Sequence, residues 1–314
     1  MRLIILGTGA GGGCPQWNCG CQNCNFAREH PESARTTDSL AISYEEDGET
    51  AWAIVNPGVD LRHQLARHPQ LHPPKGGELR KTPIRAVILS DGELDHTVGL
   101  INLREGANLK VFATSSVLDL METSFPVRSV LSNYANLDFC RIVPGVPFSL
   151  GESLKVTAVT LSGRQPRYAK EHRPAAAADP VIGLRFETNT AMADAIAYAP
   201  QIASWDDNLE SLLKGAEIVL VDGTFNTSDE LQSLGVKAGP AESMGHLPLS
   251  GPNGILARLQ VSKARVKLLT HINNTNPILR DNSPERQAVE KAGVKIAVDG
   301  MCLSTSKVGE TLRD

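Results

Sequence analysis

Between residues 91 and 96 the chain carries three carboxylates, Asp91, Glu93 and Asp95, and a histidine, His96. Carboxylate oxygen beside imidazole nitrogen is a ligand set for a divalent metal. The same residues could instead form an acidic helix cap, with Asp95 accepting from free helix N–H groups. A second group, Cys19-Gly20-Cys21-Gln22-Asn23-Cys24, concentrates thiols. Three thiolates so close cannot all pair with one another, and a soft tetrahedral cation is the economical partner, so structural zinc is expected there. Cys14 is the nearest candidate in sequence for a fourth ligand.

Strands and helices must position these groups. Residues 84–89 form an apolar run rich in branched side chains that opens directly into the acidic stretch, and this reads as a buried strand with polar groups at its C-terminal edge. That edge is where α/β folds commonly do chemistry. Residues 218–221 repeat the design with Asp222 at the tip, and residues 266–270 repeat it with His271. Further strand-like runs lie at 2–6, 38–44, 51–55, 109–113 and 195–198, with helical patterns from Leu61, over 97–104 and over 115–121. Such alternation predicts layered α/β packing. Cys140, in an apolar stretch, reads as a core thiol.

Residues 7–12 satisfy G-x-G-x-x-G, yet Gly13-Cys14-Pro15 is a poor helix start, so the glycines read as close backbone approach and not as a nucleotide loop. His63, His68 and His72 read as part of a solvated face. Residues 163–180, with four cations and three prolines, break the alternation. They are expected to be a flexible insertion, either solvated or a basic flap whose Arg164 and Arg167 meet an acidic substrate.

At 314 residues with 41% hydrophobic content, the chain can bury a full core. The net charge of -4 argues against a nucleic-acid partner. No apolar run approaches a membrane span, and the N-terminal run is too short for a signal peptide. A cytoplasmic location is expected, where clustered cysteines bind metal in preference to forming disulfides.

Asp95-His96-x-x-Gly99 resembles the end of the His-x-His-x-Asp-His-x-x-Gly signature of the metallo-β-lactamase superfamily. The resemblance extends to the Leu-Gly-Thr-Gly turn, to Asp222 and to Leu-Thr-His271. It implies a metallo-β-lactamase-like four-layer αββα sandwich over residues 1–314, as one domain carrying a cysteine zinc loop at 14–24. It also implies one mononuclear centre built from Asp95, His96, Asp222 and His271. Asp91 and Glu93 occupy the two leading histidine positions, so the first-metal ligands are missing at the motif.

Together with the cysteine cluster, Met244-Gly245-His246-Leu247-Pro248 and residues 270–277, these motifs are similar to a branch of the superfamily that acts in pyrroloquinoline quinone (PQQ) biosynthesis. That resemblance implies Fe(II), or zinc after purification, at the active centre, and a structural zinc on Cys19, Cys21 and Cys24. A phosphodiesterase relative places its fourth zinc ligand three residues after the late histidine, which here is Asn274. The implied reaction is iron- and O2-dependent hydroxylation of the tyrosine ring of a Glu-Tyr-derived precursor, with Asp91, Glu93 and His246 as acid/base or relay groups. Two alternatives stay open: a soluble carrier of PQQ or its precursor toward the periplasm, and a metal-dependent hydrolase. Expected partners are a small peptide or quinone precursor and other proteins of the pathway.

Overall fold

The computed structural model describes residues 1–105, 108–169, 179–189 and 194–305. Residues 170–178 of the expected 163–180 insertion lie outside the described residues. In chain order the strands are β1 (Arg2–Gly7), β2 (Ser39–Glu46), β3 (Glu49–Val55), β4 (Ile84–Ile88), β5 (Leu109–Thr114), β6 (Leu137–Ile142), β7 (Phe148–Leu150), β8 (Leu154–Thr160), β9 (Ile182–Thr188), β10 (Ala195–Ala199), β11 (Ile218–Asp222), β12 (Val266–Thr270), β13 (Lys295–Ile296) and β14 (Cys302–Ser304). They form two seven-stranded sheets, ordered β14-β1-β2-β3-β4-β5-β6 and β13-β12-β11-β10-β9-β8-β7. Each sheet is antiparallel on one side and parallel on the other, with β3 to β6 parallel in the first and β10 to β13 parallel in the second.

The inner faces of the two sheets make one core. Leu40, Ile42 and Tyr44 of β2 alternate inward and share this cluster with Leu184 and Phe186 of β9 and Ile218 and Leu220 of β11. The outer faces are equally apolar, because helices cover both. Asp207–Leu213, Ile255–Val261 and Pro284–Lys291 place Leu209, Leu259 and Val289 over Val219, Val221 and Leu269. Over the first sheet, Leu61 packs with Ile4 and Ile54, and Val117 and Leu131 pack with Val87 and Val111. Burial on both faces explains why the parallel strands read as continuous apolar runs. Each fully buried large side chain contributes about 1.5–3 kcal/mol. Helix, sheet, sheet, helix is the expected four-layer order.

Two local expectations change. The helix expected over 97–104 is instead one α-turn, Leu94–Thr97, followed by a 3-10 segment, Val98–Leu103. Gly99 is the cause: its N–H donates to the Pro57 carbonyl at 2.9 Å and so leaves the α-helical ladder. Cys140 is half-buried and only packs against the edge of the core, because β6 is the terminal strand of its sheet.

The parallel halves matter for chemistry. Their strand tips deliver Asn56 after β3, residues 89–91 after β4, Gln201 shortly after β10, Asp222 at the end of β11 and His271 after β12.

Candidate metal centre

The acidic stretch is wound into a tight turn by its own side chains. Asp91 Oδ1 accepts from the Glu93 N–H at 2.9 Å, and the Thr97 hydroxyl donates to the Glu93 carbonyl at 2.8 Å. Asp91 is fully buried; Oδ2 also accepts from the Ser90 hydroxyl at 2.8 Å and lies 2.7 Å from His96 Nδ1. This geometry fixes the ring of His96 and leaves its other nitrogen for a different partner. His96 Nε2 is buried and has no hydrogen-bond partner among the described residues.

Around that nitrogen stand Asp95 and His271. Asp95 Oδ2 lies 3.4 Å from His271 Nε2 and 3.9 Å from His96 Nε2, and the ligating atoms of all three residues lie within 4.8 Å of one another. The rings of His96 and His271 meet edge-on at 5.2 Å. His271 itself sits in the left-handed region at φ 53°, a conformation that costs a non-glycine residue of order 1 kcal/mol or more. Its neighbours hold it there. The Ile272 N–H donates to the Thr8 carbonyl at 2.8 Å and the Ala10 N–H to the Ile272 carbonyl at 2.9 Å. The glycine turn after β1 thus supports the His271 loop, and a side chain at Gly7 would meet the Thr37 carbonyl at 2.0 Å.

A second group shares His271. Asp222 and His271 are neighbours because β11 and β12 align Asp222 with Thr270. Asp222 Oδ2 lies 2.7 Å from His246 Nδ1 and accepts from the Ile202 N–H at 3.0 Å; Oδ1 accepts from the Thr224 N–H at 2.9 Å and hydroxyl at 2.6 Å. His246 stacks on His271 at 5.3 Å, and their ligating atoms with that of Asp222 also lie within 4.8 Å of one another. The structure therefore brings Asp95, His96 and His271 into one donor group, and Asp222 into a second with His246 and His271.

Electrostatics favour a cation. Burial alone would lower His96, but Asp91 and Asp95 outweigh it and push the ring up to about 10. Burial likewise acts to raise Asp95, Asp91 and Asp222, yet the adjacent imidazoles hold all three below the usual carboxylate range. Two carboxylates that keep a buried imidazole positively charged make a place where a divalent ion can take over the same role. With the unpartnered His96 Nε2, this donor set fits a metal. Glu93 differs: burial, reinforced by Asp91 and Asp95, raises its carboxyl to about 7.

Behind the centre, a buried polar network ties the sheets together. Asp38 accepts from the Tyr198 and Thr270 hydroxyls, and Asn56 Nδ2 donates to Tyr198 at 3.1 Å and to Ser90 at 2.8 Å. Its members are hard to find in a sequence, since each is one polar residue at the end of an apolar strand. In front lies an open cavity of about 1140 Å³, walled by Glu93, Arg164, Arg167, Tyr168, Gln201 and His246 among others. The described part of the insertion is latched to the acidic turn, since the Tyr168 hydroxyl donates to the Gly92 carbonyl at 2.6 Å.

At the zinc loop, the Sγ atoms of Cys19, Cys21 and Cys24 lie within 4.8 Å of one another. Asn274 Nδ2 is 3.2 Å from Cys24 Sγ, and the Asn274 carbonyl accepts from Cys21 Sγ at 3.4 Å. Cys14 packs beside Cys24 in the same small cluster but is not one of the three.

Residues 51–272 match the family described as a beta-lactamase superfamily domain. The coenzyme PQQ synthesis protein B of Cupriavidus necator is 40% identical over 303 residues, covering 95% of this chain and 98% of that protein. Its counterpart from Klebsiella pneumoniae is 38% identical over 310 residues, covering 97% and 98%. Among solved structures, Zn(2+)-bound PqqB from Methylobacterium extorquens superposes with a TM-score of 0.86 at 34% identity, over 97% of this chain and 100% of that one. A diphosphatase from the PhnP family, at 22% identity and a TM-score of 0.65, shares the fold.

Proposed function

The chain belongs to the coenzyme PQQ synthesis protein B family of the beta-lactamase superfamily, and from that premise we propose that it hydroxylates the tyrosine ring of a Glu-Tyr-derived precursor in PQQ biosynthesis, using Fe(II), O2 and two electrons from an external reductant, so that one oxygen atom enters the ring and the other leaves as water. One observation carries this reading. The carboxylate of Asp95 and the imidazole of His271 stand beside the unpartnered His96 Nε2, and all three residues line a cavity large enough for a small peptide. Such a set with open positions suits non-haem Fe(II).

The hydrolase reading has less support. Two-metal hydrolysis needs a second set of ligands at the motif, and here Asp91 has both oxygens engaged by Ser90, Glu93 and His96. In the proposed centre Asp95, His96 and His271 hold the ion, with Asp222 at its margin. When bound, Fe(II) supplies the one-electron chemistry that O2 requires.

The remaining residues orient the site and move protons. Asp91 fixes His96. Glu93, buried beside the centre and lining the cavity, accepts or returns the phenol proton. His246, held by Asp222, relays a proton along the cavity wall. Structural zinc on Cys19, Cys21 and Cys24, with Asn274 beside them, needs reduced thiols, which fits a cytoplasmic location. No helix among the described residues is long and apolar enough to cross a membrane.

Mass spectrometry of a Glu-Tyr-containing peptide incubated with anaerobically Fe(II)-loaded protein and excess ascorbate as reductant, with and without O2, tests the reading. Oxygen-dependent addition to the ring, abolished in His271→Ala, is expected. No addition at confirmed iron occupancy would reject it in favour of carriage of the quinone or its precursor.

A further inference from the structure

A second cavity, of about 730 Å³, lies beside the zinc loop and shares no lining residue with the one in front of the metal centre. That volume is ordinary for a small-molecule site. The chain as a whole carries a net charge of -4, yet four arginines line this cavity: Arg35, Arg67, Arg280 and Arg286.

Three of them are held in place by neutral partners. The Arg35 N–H donates to the Cys14 carbonyl at 2.7 Å and the Cys14 N–H to the Arg35 carbonyl at 2.8 Å, so the start of the zinc loop positions the residue. Its Nη1 donates to the Thr8 hydroxyl at 2.7 Å and to the Ala297 carbonyl at 2.5 Å, which fixes the guanidinium by one corner. Arg35 Nε and Nη2 have no hydrogen-bond partner among the described residues and keep accessible surface. Arg286 Nη1 donates to the Ile278 carbonyl at 3.3 Å and its Nε to Glu290 at 3.1 Å, which leaves Nη2 without a partner among the described residues. Arg280 Nη1 donates to Gln22 Oε1 at 2.6 Å.

The carboxylates of the lining do not cancel this charge. Asp299 already accepts from the Thr8 hydroxyl and from the Thr36 N–H and hydroxyl, each at 2.7 Å. Glu32 and Asp281 face solvent with side chains 77% and 88% exposed, and Asp281 comes only to 3.7 Å from Arg286. Burial lowers Arg35, Asp299 offsets this in part, and Arg286 lowers it again. An anion beside two such guanidiniums stabilises both. The rest of the wall offers apolar surface. Phe26 is 53% exposed and stacked on His30 at 4.3 Å, and Leu279 and Val298 stand with it.

We propose that this cavity is a binding site for a planar aromatic anion bearing two or more carboxylates, its ring against Phe26 and its carboxylates on Arg35 and Arg286, with Arg67 and Arg280 adding charge. Planar guanidinium nitrogens match a carboxylate two to two, and the exposed ring gives a flat ligand a surface to lie on. The site stands apart from the metal centre and from the oxygen chemistry proposed there.

Calorimetric titration of the zinc-loaded full chain tests it with three probes: benzene-1,3,5-tricarboxylate, propane-1,2,3-tricarboxylate, which has the same three carboxylates without the ring, and inorganic phosphate. The wild-type protein is expected to bind the aromatic probe roughly three- to tenfold more tightly than the aliphatic one, the worth of an aromatic contact, and phosphate more weakly than either. Arg286→Gln should weaken the aromatic probe by about tenfold, the worth of a hydrogen bond to a charged group. Phe26→Ala, at an exposed position, should keep the melting temperature and lose the preference for the ring. His271→Ala should bind the aromatic probe as the wild type does. The proposal is overturned if the aromatic probe does not bind, if phosphate binds as tightly, if Phe26→Ala keeps the preference, or if a folded Arg286→Gln protein binds as the wild type does. Loss of binding in His271→Ala would also overturn it, since the probe would then sit on the metal centre.

Discussion

Asp91 Oδ2 lies 2.7 Å from His96 Nδ1, while the opposite nitrogen of the same ring is buried without a partner. In a metal site this is how a carboxylate selects which imidazole nitrogen binds and how the ring is turned. The residue that stands where the superfamily signature has a histidine therefore orients the candidate ligand His96.

Asp91→Asn tests that action. The amide keeps the shape but loses the charge, and affinity for zinc or iron should fall roughly ten- to hundredfold. Competition with a chromophoric chelator measures it, with circular dichroism as the folding control. An affinity equal to that of the wild type would assign Asp91 to the turn alone.

At the cysteine loop the expectation concerns stability. Cys24 is fully buried, so Cys24→Ser should release about one zinc per chain and lower stability by about 2 kcal/mol or more. Elemental analysis and thermal unfolding would show both. Loss of stability with full zinc retention would contradict a ligating role.

Glu230 gives a pH signature away from the centre. Its carboxylate accepts from the Thr275 hydroxyl at 2.6 Å and the Asn226 N–H at 2.7 Å, and burial raises it from 4.5 to about 7. Between those values the folded chain holds a proton that the unfolded chain has released, so this group makes stability fall as pH rises through the window and leaves it low above. Wild-type protein should lose roughly 2–3 kcal/mol more than Glu230→Gln between pH 5 and 8. Parallel urea-unfolding profiles would exclude the effect.

Gly99 is a packing requirement. A Cβ at this position would lie 2.2 Å from the Gly58 carbonyl and 2.5 Å from that of Pro57. Gly99→Ala should cost about 3 kcal/mol or more, or prevent folding, because backbone must shift on both sides. A melting temperature within a degree or two of the wild type would refute this.

The sequence made the local part of the site legible. Asp95 and His96 are adjacent, and Asp222 and His271 each end an apolar run, a pattern that parallel strands impose when both faces are buried. The same runs implied layered α/β packing, and the four-layer order came from the family resemblance. What the sequence hid is what two sheets create only on meeting. Nothing in the sequence joins Asp38 to Tyr198, 160 residues apart, or pairs His246 with Asp222. The break of the helix at Gly99 was equally invisible, because its acceptor, Pro57, belongs to a different loop.

The strand order has a last consequence. The first sheet takes β1 to β6 and then recruits β14 from the far end of the chain, whereas the second takes β7 to β13. Asp95 and His96 come from the first run of strands and His271 from the second. A chain cut between β6 and β7 would yield two fragments, neither able to assemble the donor group by itself, with β14 as the strand that the later fragment lends back to the earlier.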